Sequence, residues 1–361
     1  MEKINNKFRG CLVGGAVGDA LGYPVEFMNE SKIFNKYGKN GIIEYELTDG
    51  KAIVSDDTQM TMFTANGLIY GITQQNIGKS FSDIPDYIYS AYKDWLATQS
   101  GNYDSGNYIS WIMNVPELHA KRDAGITCLS ALASGKKGNL DNLINDSKGC
   151  GGIMRIAPIG LYFKDSPNEC AICAAEASAI THGHELGYIP SALLSYLIYQ
   201  LTYCNTTIYK ATFELPVLCD KIFGDSKYAH TLNNLISKAM HLAESDTDDI
   251  SAIHELGAGW VAEETLAIAL YCAIKYSDNF EKAVVTAVNH NGDSDSTGAV
   301  TGNILGAYLG LDSIPDKFIK NLEMYDTLIE LADDLYTSSQ NLGKNPVYDD
   351  VWTKKYVNPV F

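Results

Sequence analysis

The chain has 361 residues, of which 46% are hydrophobic, enough to bury a sizeable core as one large domain or two ordinary ones. A formal net charge of -17 repels phosphate backbones, which argues against nucleic acid and anionic membrane surfaces as partners. No stretch is long and apolar enough to span a bilayer, and a small anionic substrate would need local positive charge from metal ions or backbone N–H groups.

In chain order, Lys3, Lys7 and Arg9 precede GCLVGGAVGDALG, the outline of a leader peptide. The apolar run is short, glycine-rich and broken by Asp19, so it reads as a helix and not as a cleaved signal. Within it Gly10, Gly14, Gly18 and Gly22 recur every four residues, and Gly298, Gly302, Gly306 and Gly310 repeat the pattern near the other end. Each interior helical glycine costs about 1 kcal/mol against alanine, so such a stripe predicts close backbone approach to a neighbouring helix. A lipid-embedded glycine pair is ruled out by Asp19 and Asn303, which interrupt the two segments.

GIIEYEL, from Gly41, is the best candidate for a short strand. NECAICAAEASAI, which holds Cys170 and Cys173, predicts a helix. The 8 cysteines are otherwise scattered, and no second pair follows at zinc-site spacing. They read as buried free thiols of a reducing, cytoplasmic compartment. Helical spacing of apolar residues recurs in SALLSYLIYQLTY from Ser191, ETLAIALYCAIKY from Glu264 and DTLIELADDLY from Asp326. With no linker and no low-complexity tract, the expectation is an all-α fold, one domain over residues 1–361.

Two segments concentrate carboxylates and hydroxyls: SDDTQM, from Ser55 to Met60, and NGDSDST, from Asn291 to Thr297. Each alone has two readings, a helix N-cap or a set of hard oxygen ligands suited to Mg²⁺, Mn²⁺ or Ca²⁺. The spacing excludes an EF-hand, and the occurrence of both, the second opening onto a glycine-striped helix, favours metal. GCGGIMRIAPIGL, Gly149 to Leu161, reads either as a plain turn or as clustered glycines presenting N–H groups to an anion. His182 and His184 lack further ligands at zinc spacing and read as cap or loop histidines. Trp260, in GAGWVAEE, reads as core or pocket wall, and Glu26, in GYPVEF, as a surface carboxylate or an active-site one.

Taken in order, GCLVGGAVGDALGYPVEF, VSDDTQM, GCGGIMRIAPIGL, THGHELGY, GAGWVAEETLAIAL and NGDSDSTGAVTGNILGA resemble the ADP-ribosylglycohydrolase family. The set runs from residue 10 to about residue 310, and its order is more specific than any single block. The resemblance implies an all-α orthogonal helical bundle around a pair of Mg²⁺ or Mn²⁺ ions. It implies metal ligation by Ser55, Asp56 and Asp57 from one side and by Asp293, Asp295 and Ser296 from the other. Glu26 matches the glutamate of the first block, a candidate acid/base. Gly149, Gly151, Gly152, Ile153 and Met154 would hold a diphosphate, with His182, Gly257, Gly259 and Trp260 on the nucleotide side. Asp123, in KRDAGITC, stands where some members carry a catalytic aspartate and others do not.

The implied reaction is hydrolysis of the bond between ribose and a protein side chain, with an ADP-ribosylated protein as substrate and ADP-ribose as product. Serine at positions 55 and 296 resembles the arginine-directed branch. The alternative is an immunity protein that neutralises an ADP-ribosyltransferase toxin, by occluding it or by reversing its modification. Some such proteins block their toxin with an N-terminal arm, for which a first block beginning at residue 10 leaves no room. A metal phosphohydrolase would better suit a His/Asp-rich site, which the sequence lacks.

Overall fold

A computed structural model of the chain describes residues 2–79, 82–101, 108–341, 344 and 346–361. Its organising contact is between the two glycine stripes, which lie on a single antiparallel helix pair, Glu2–Gly22 and Ser294–Leu309. Gly10 faces Gly306, Gly14 faces Gly302 and Gly18 faces Gly298. A Cβ built on Gly10 would stand 2.5 Å from the Gly306 carbonyl oxygen, and one on Gly298 2.5 Å from that of Gly18. Only hydrogen fits there, and close packing of two backbones compensates the poor helix propensity of glycine. The end residues behave differently. Gly22 closes the first helix against Ser294, and Gly310 terminates the second at φ 87°, beside Asn6.

This pairing decides where the chemistry lies. Because the helices run antiparallel, the C-terminus of the first and the N-terminus of the second meet at one end. Glu26 therefore arrives next to Asp293 and Asp295. The other helices enclose the pair in one contiguous apolar core that includes Trp95, Tyr92, Tyr162 and Tyr271. The three predicted amphipathic segments form the helices Glu185–Tyr203, Ala262–Lys275 and Tyr325–Gln340. Cys170 and Cys173 lie buried and free on the helix Pro167–Ala179, and no thiol among the described residues is cross-linked. No described helix is long and apolar enough to cross a membrane.

The strand expected from Gly41 is corrected. The only described sheet is a minimal antiparallel pair, Leu47–Thr48 with Lys51–Ala52. Residues 41–46 are not extended into it for a local reason. Gly41 turns at φ 67°, and both backbone polar groups of Ile42 are taken by the Asn289 side chain, at 2.8 and 2.9 Å. A backbone already paired with a side chain has nothing left for a ladder.

Candidate metal and nucleotide cleft

The first wall of the site is the helix Asp56–Asn76. Ser55 is its N-cap, its hydroxyl accepting from the Asp57 N–H at 3.2 Å. The heavier capping falls to Asp19, on the first glycine helix. Its carboxylate accepts from the Ser55 N–H at 2.8 Å, the Thr58 N–H at 3.0 Å and the Thr58 hydroxyl. With the helix end satisfied from behind, Asp56 and Asp57 are released toward the cleft. Asp56 Oδ2 accepts only a long bond from the Gly125 N–H, 3.3 Å, and Asp57 Oδ2 accepts from the Ser296 hydroxyl at 2.9 Å.

The second wall is the start of the helix Ser294–Leu309. Asp293 caps it by accepting from the Ser296 N–H at 3.2 Å, and the Cys150 thiol donates to its other oxygen at 2.8 Å. The two readings of this segment thus coexist, since Asp293 both caps and lines. Glu26, just after the turn Tyr23–Val25, completes a group in which one oxygen each of Glu26, Asp293 and Asp295 lie within 4.8 Å of one another.

Crowding fixes the electrostatics. Burial, and then the charge of Asp295, push Glu26 up to about 10, Asp56 to about 7 and Asp19 to about 8. The same two causes raise Asp57 and Asp293 well above the usual carboxylate range. Asp295 is raised by burial. Arg122 is paired with Glu323 at 2.9 Å and Lys148 with Glu263, and among the described residues none of these cleft carboxylates has an ion-pair partner. A cluster of buried carboxylates without an ion-pair partner is stabilised by a cation that takes hard oxygen donors. The donor set fits Mg²⁺ or Mn²⁺ in kind: carboxylates, with the Ser296 hydroxyl beside them. Cys128 and Met154 also bring sulfur to the cleft, but Cys150 is the thiol bonded to Asp293, and burial together with Asp293 raises it far from ionisation.

These residues line a cleft of about 390 Å³. Of the positions expected from the sequence, it brings together Glu26, Asp56, Asp57, Asp123, Gly149, Gly151, Met154, His182, Trp260, Asp293, Asp295 and Ser296. Five others stand behind its surface. Ser55 is buried at the helix cap. Gly152 packs on Ser178, and Ile153 is fully buried. Gly257 and Gly259, at φ 132° and 81°, bend the chain so that the Ala258 carbonyl accepts from the Asp293 N–H at 2.9 Å. They support the acidic wall from outside, and of that loop only Trp260 reaches the cleft. The glycine loop is a 3-10 turn, Cys150–Gly152. Its Cys150, Ile153 and Met154 N–H groups are bonded to backbone carbonyls, and Gly151 is the glycine of that turn which lines the cleft.

At the mouth, Phe27 and Trp260 stack at 5.9 Å with planes 21° apart, and they are 69% and 42% exposed. Such exposure of paired rings is unusual unless something else covers them. Asp123 holds φ 52° and accepts from the Tyr23 hydroxyl at 2.8 Å. Sequence reading missed Asp19, Phe27 and Cys150. Asp19 carried a signal, being the only charged residue between Arg9 and Glu26: a carboxylate in an apolar glycine helix must have partners. The others carried none that local pattern could reveal.

Comparison with known proteins agrees with this fold. Residues 1–345 match the model of the ADP-ribosylglycohydrolase family. The chain is 24% identical to the ADP-ribosyl-[dinitrogen reductase] glycohydrolase of Rhodospirillum rubrum, over 89% of this chain and 92% of that one. It is 24% identical to the ADP-ribosylarginine hydrolase Tri1 of Serratia proteamaculans, over 92% and 79%. A solved structure described as an ADP-ribosylglycohydrolase-related protein complex shares the fold, with a TM-score of 0.65 at 23% identity, covering 94% of this chain and 100% of that one.

Proposed function

Because the chain belongs to the ADP-ribosylglycohydrolase family, we propose that it is a hydrolase, dependent on two Mg²⁺ or Mn²⁺ ions, that releases ADP-ribose from modified protein side chains, arginine above all. One observation carries this reading: Glu26, Asp56, Asp57, Asp293 and Asp295 meet on a single cleft whose other side is the glycine loop and His182. Asp56, Asp57, Asp293 and Asp295 would hold the ions, with the Ser55 and Ser296 hydroxyls. Divalent ions held there would supply the positive charge that lets these carboxylates ionise together and a Lewis acid for the sugar oxygens.

The chain's own groups then have distinct tasks. Gly151 and His182 receive the diphosphate, and Trp260 packs on the nucleotide side. Glu26 is pushed up to about 10 by burial and then by its neighbours' charge, which keeps a proton on it at the working pH. That suits a group which gives a proton and takes it back. Water adds at the anomeric carbon as the carbon–nitrogen bond breaks, through an oxocarbenium-like transition state. The proton lost by water balances the one gained by the leaving nitrogen. Asp123, tied to Tyr23, is the carboxylate assigned to the guanidinium.

Three features support arginine: serine at positions 55 and 296, the net charge of -17, which attracts a cationic leaving group, and the likeness to the Serratia hydrolase. The test is release of ADP-ribose from arginine- and serine-modified proteins at a small enzyme-to-substrate ratio with Mg²⁺ or Mn²⁺. Rapid release from arginine is expected. Release from serine alone would overturn the linkage. No release from either, with equimolar protection against an ADP-ribosylating toxin, would favour the immunity-protein alternative.

A further inference from the structure

Behind the glycine loop lies a buried cation that the reaction above does not use. Arg155 has no exposed surface, and a buried guanidinium normally demands a carboxylate. Here it has none in contact. One nitrogen donates to the Thr181 hydroxyl at 2.7 Å and to the Ala177 carbonyl at 3.2 Å. The other lies 3.4 Å from Cys128 Sγ and 3.6 Å from Met60 Sδ, and the Tyr92 ring is 4.2 Å away. Among the described residues its Nε has no hydrogen-bond partner. So costly an arrangement calls for a role.

The chain of bonds continues from Thr181. Its hydroxyl lies 2.8 Å from His182 Nδ1. Guanidinium only donates, so the Thr181 oxygen is already an acceptor, and donation from the arginine makes its own proton a better donor. That proton goes to His182 Nδ1, the strongest acceptor within reach. The imidazole proton is then on Nε2. This nitrogen faces the glycine loop: Cβ atoms built on Gly149 and Gly151 would stand 3.4 and 3.3 Å from it. Among the described residues it has no hydrogen-bond partner, and His182 lines the cleft.

We propose that Arg155 and Thr181 are positioning residues that lock His182 as a neutral Nε2–H donor aimed at an anionic oxygen beside Gly151. The assignment of that oxygen to a diphosphate rests on the proposed function, whereas the lock itself does not. Two further facts agree with it. Burial first, and the Arg155 charge second, push His182 down to about 3, so it is neutral across the physiological range. Held neutral, it also keeps one charge state and Nδ1 as an acceptor through pH 6 to 7, where an ordinary histidine changes charge.

The test has two readouts on the intact protein. Long-range proton–nitrogen NMR on histidine-labelled protein, with His182 assigned from a His182→Gln spectrum, reports the tautomer without ligand. Calorimetry with ADP-ribose in the presence of Mg²⁺ reports binding. The parent should show Nε2–H alone. Thr181→Val, which keeps shape and removes the hydroxyl, should show both tautomers and bind ADP-ribose about 10-fold more weakly. Thr181→Ser should restore both properties, which a purely structural role for the methyl group would not allow. A parent in the Nδ1–H form, or a Thr181→Val protein that keeps pure Nε2–H, overturns the proposal. The parent spectrum decides alone if Thr181→Val does not fold. A parent with the expected tautomer that binds no ADP-ribose would instead count against the functional reading.

Discussion

Replacing Gly302 by leucine tests the packing that positions the whole site. A Cβ at this position would overlap the Gly14 carbonyl, standing 2.5 Å from its carbon and 3.1 Å from the Gly15 nitrogen. All of these atoms are backbone, so no side chain can rotate away, and the two helices must separate along the stripe. Overpacking a tight core costs about 1–3 kcal/mol, and rigid surroundings place this site at the upper end. The gain in helix propensity recovers about 1 kcal/mol, which leaves Gly302→Leu destabilised by roughly 2 kcal/mol or more. Gly14→Ala and Gly302→Ala sharpen the test, because they insert methyl groups into the same contact. Once the first has parted the helices the second meets less resistance, so the double variant should lose less than the sum of the singles. Urea midpoints of the four proteins give the cycle. A Gly302→Leu protein that unfolds like its parent, or strictly additive alanine variants, would refute close approach as the reason for the stripe.

How far the sequence reaches can be seen in individual residues. The glycine stripes announced a helix contact because four-residue spacing is local, but neither their mutual pairing nor its antiparallel sense is local. That pairing is what carries Glu26 to Asp293 across most of the chain. The acidic segments were legible because hard ligands cluster in sequence. Gly257 and Gly259 lie in a family-like block, yet they shape the loop behind Asp293 and do not line the cleft. Ile42 defeats the strand expectation through one distant side chain, Asn289. Arg155 shows the hardest case. Nothing in MRIAP signals that its guanidinium is buried among Tyr92, Thr181 and the sulfur atoms of Met60 and Cys128, contributed by four other segments.

Four further outcomes are expected. Asp56→Asn and Asp293→Asn should each lower turnover at least about 100-fold while the protein still folds, and a chelator should mimic them reversibly; full activity after chelation would sink the metal assignment. Asp19→Ala strips the acceptor from the Ser55 and Thr58 N–H groups, which should cost about 1–3 kcal/mol in urea unfolding; an unchanged midpoint would deny Asp19 its capping role. Burial lowers His290 from 6.5 to about 4, so between these values the unfolded state binds more protons and the parent loses stability as pH falls. The advantage of the parent over His290→Gln should therefore shrink by about 2 kcal/mol between pH 7 and pH 5, and a pH-independent difference would show that His290 is not held neutral. Asp123 decides the linkage. It lines the cleft beside Glu26 and Phe27 and is held by Tyr23 at 2.8 Å. If it receives a guanidinium, Asp123→Ala removes a charge-assisted contact that only the arginine substrate makes, worth about 1.5–3 kcal/mol. The kcat/KM for an arginine-modified protein should then fall by roughly 10- to 100-fold, with a serine-modified protein far less affected. Equal losses on both substrates would assign Asp123 to the shared chemistry at the ribose instead, and Tyr23→Phe, which frees the carboxylate without removing it, should reproduce a milder form of whichever pattern is found.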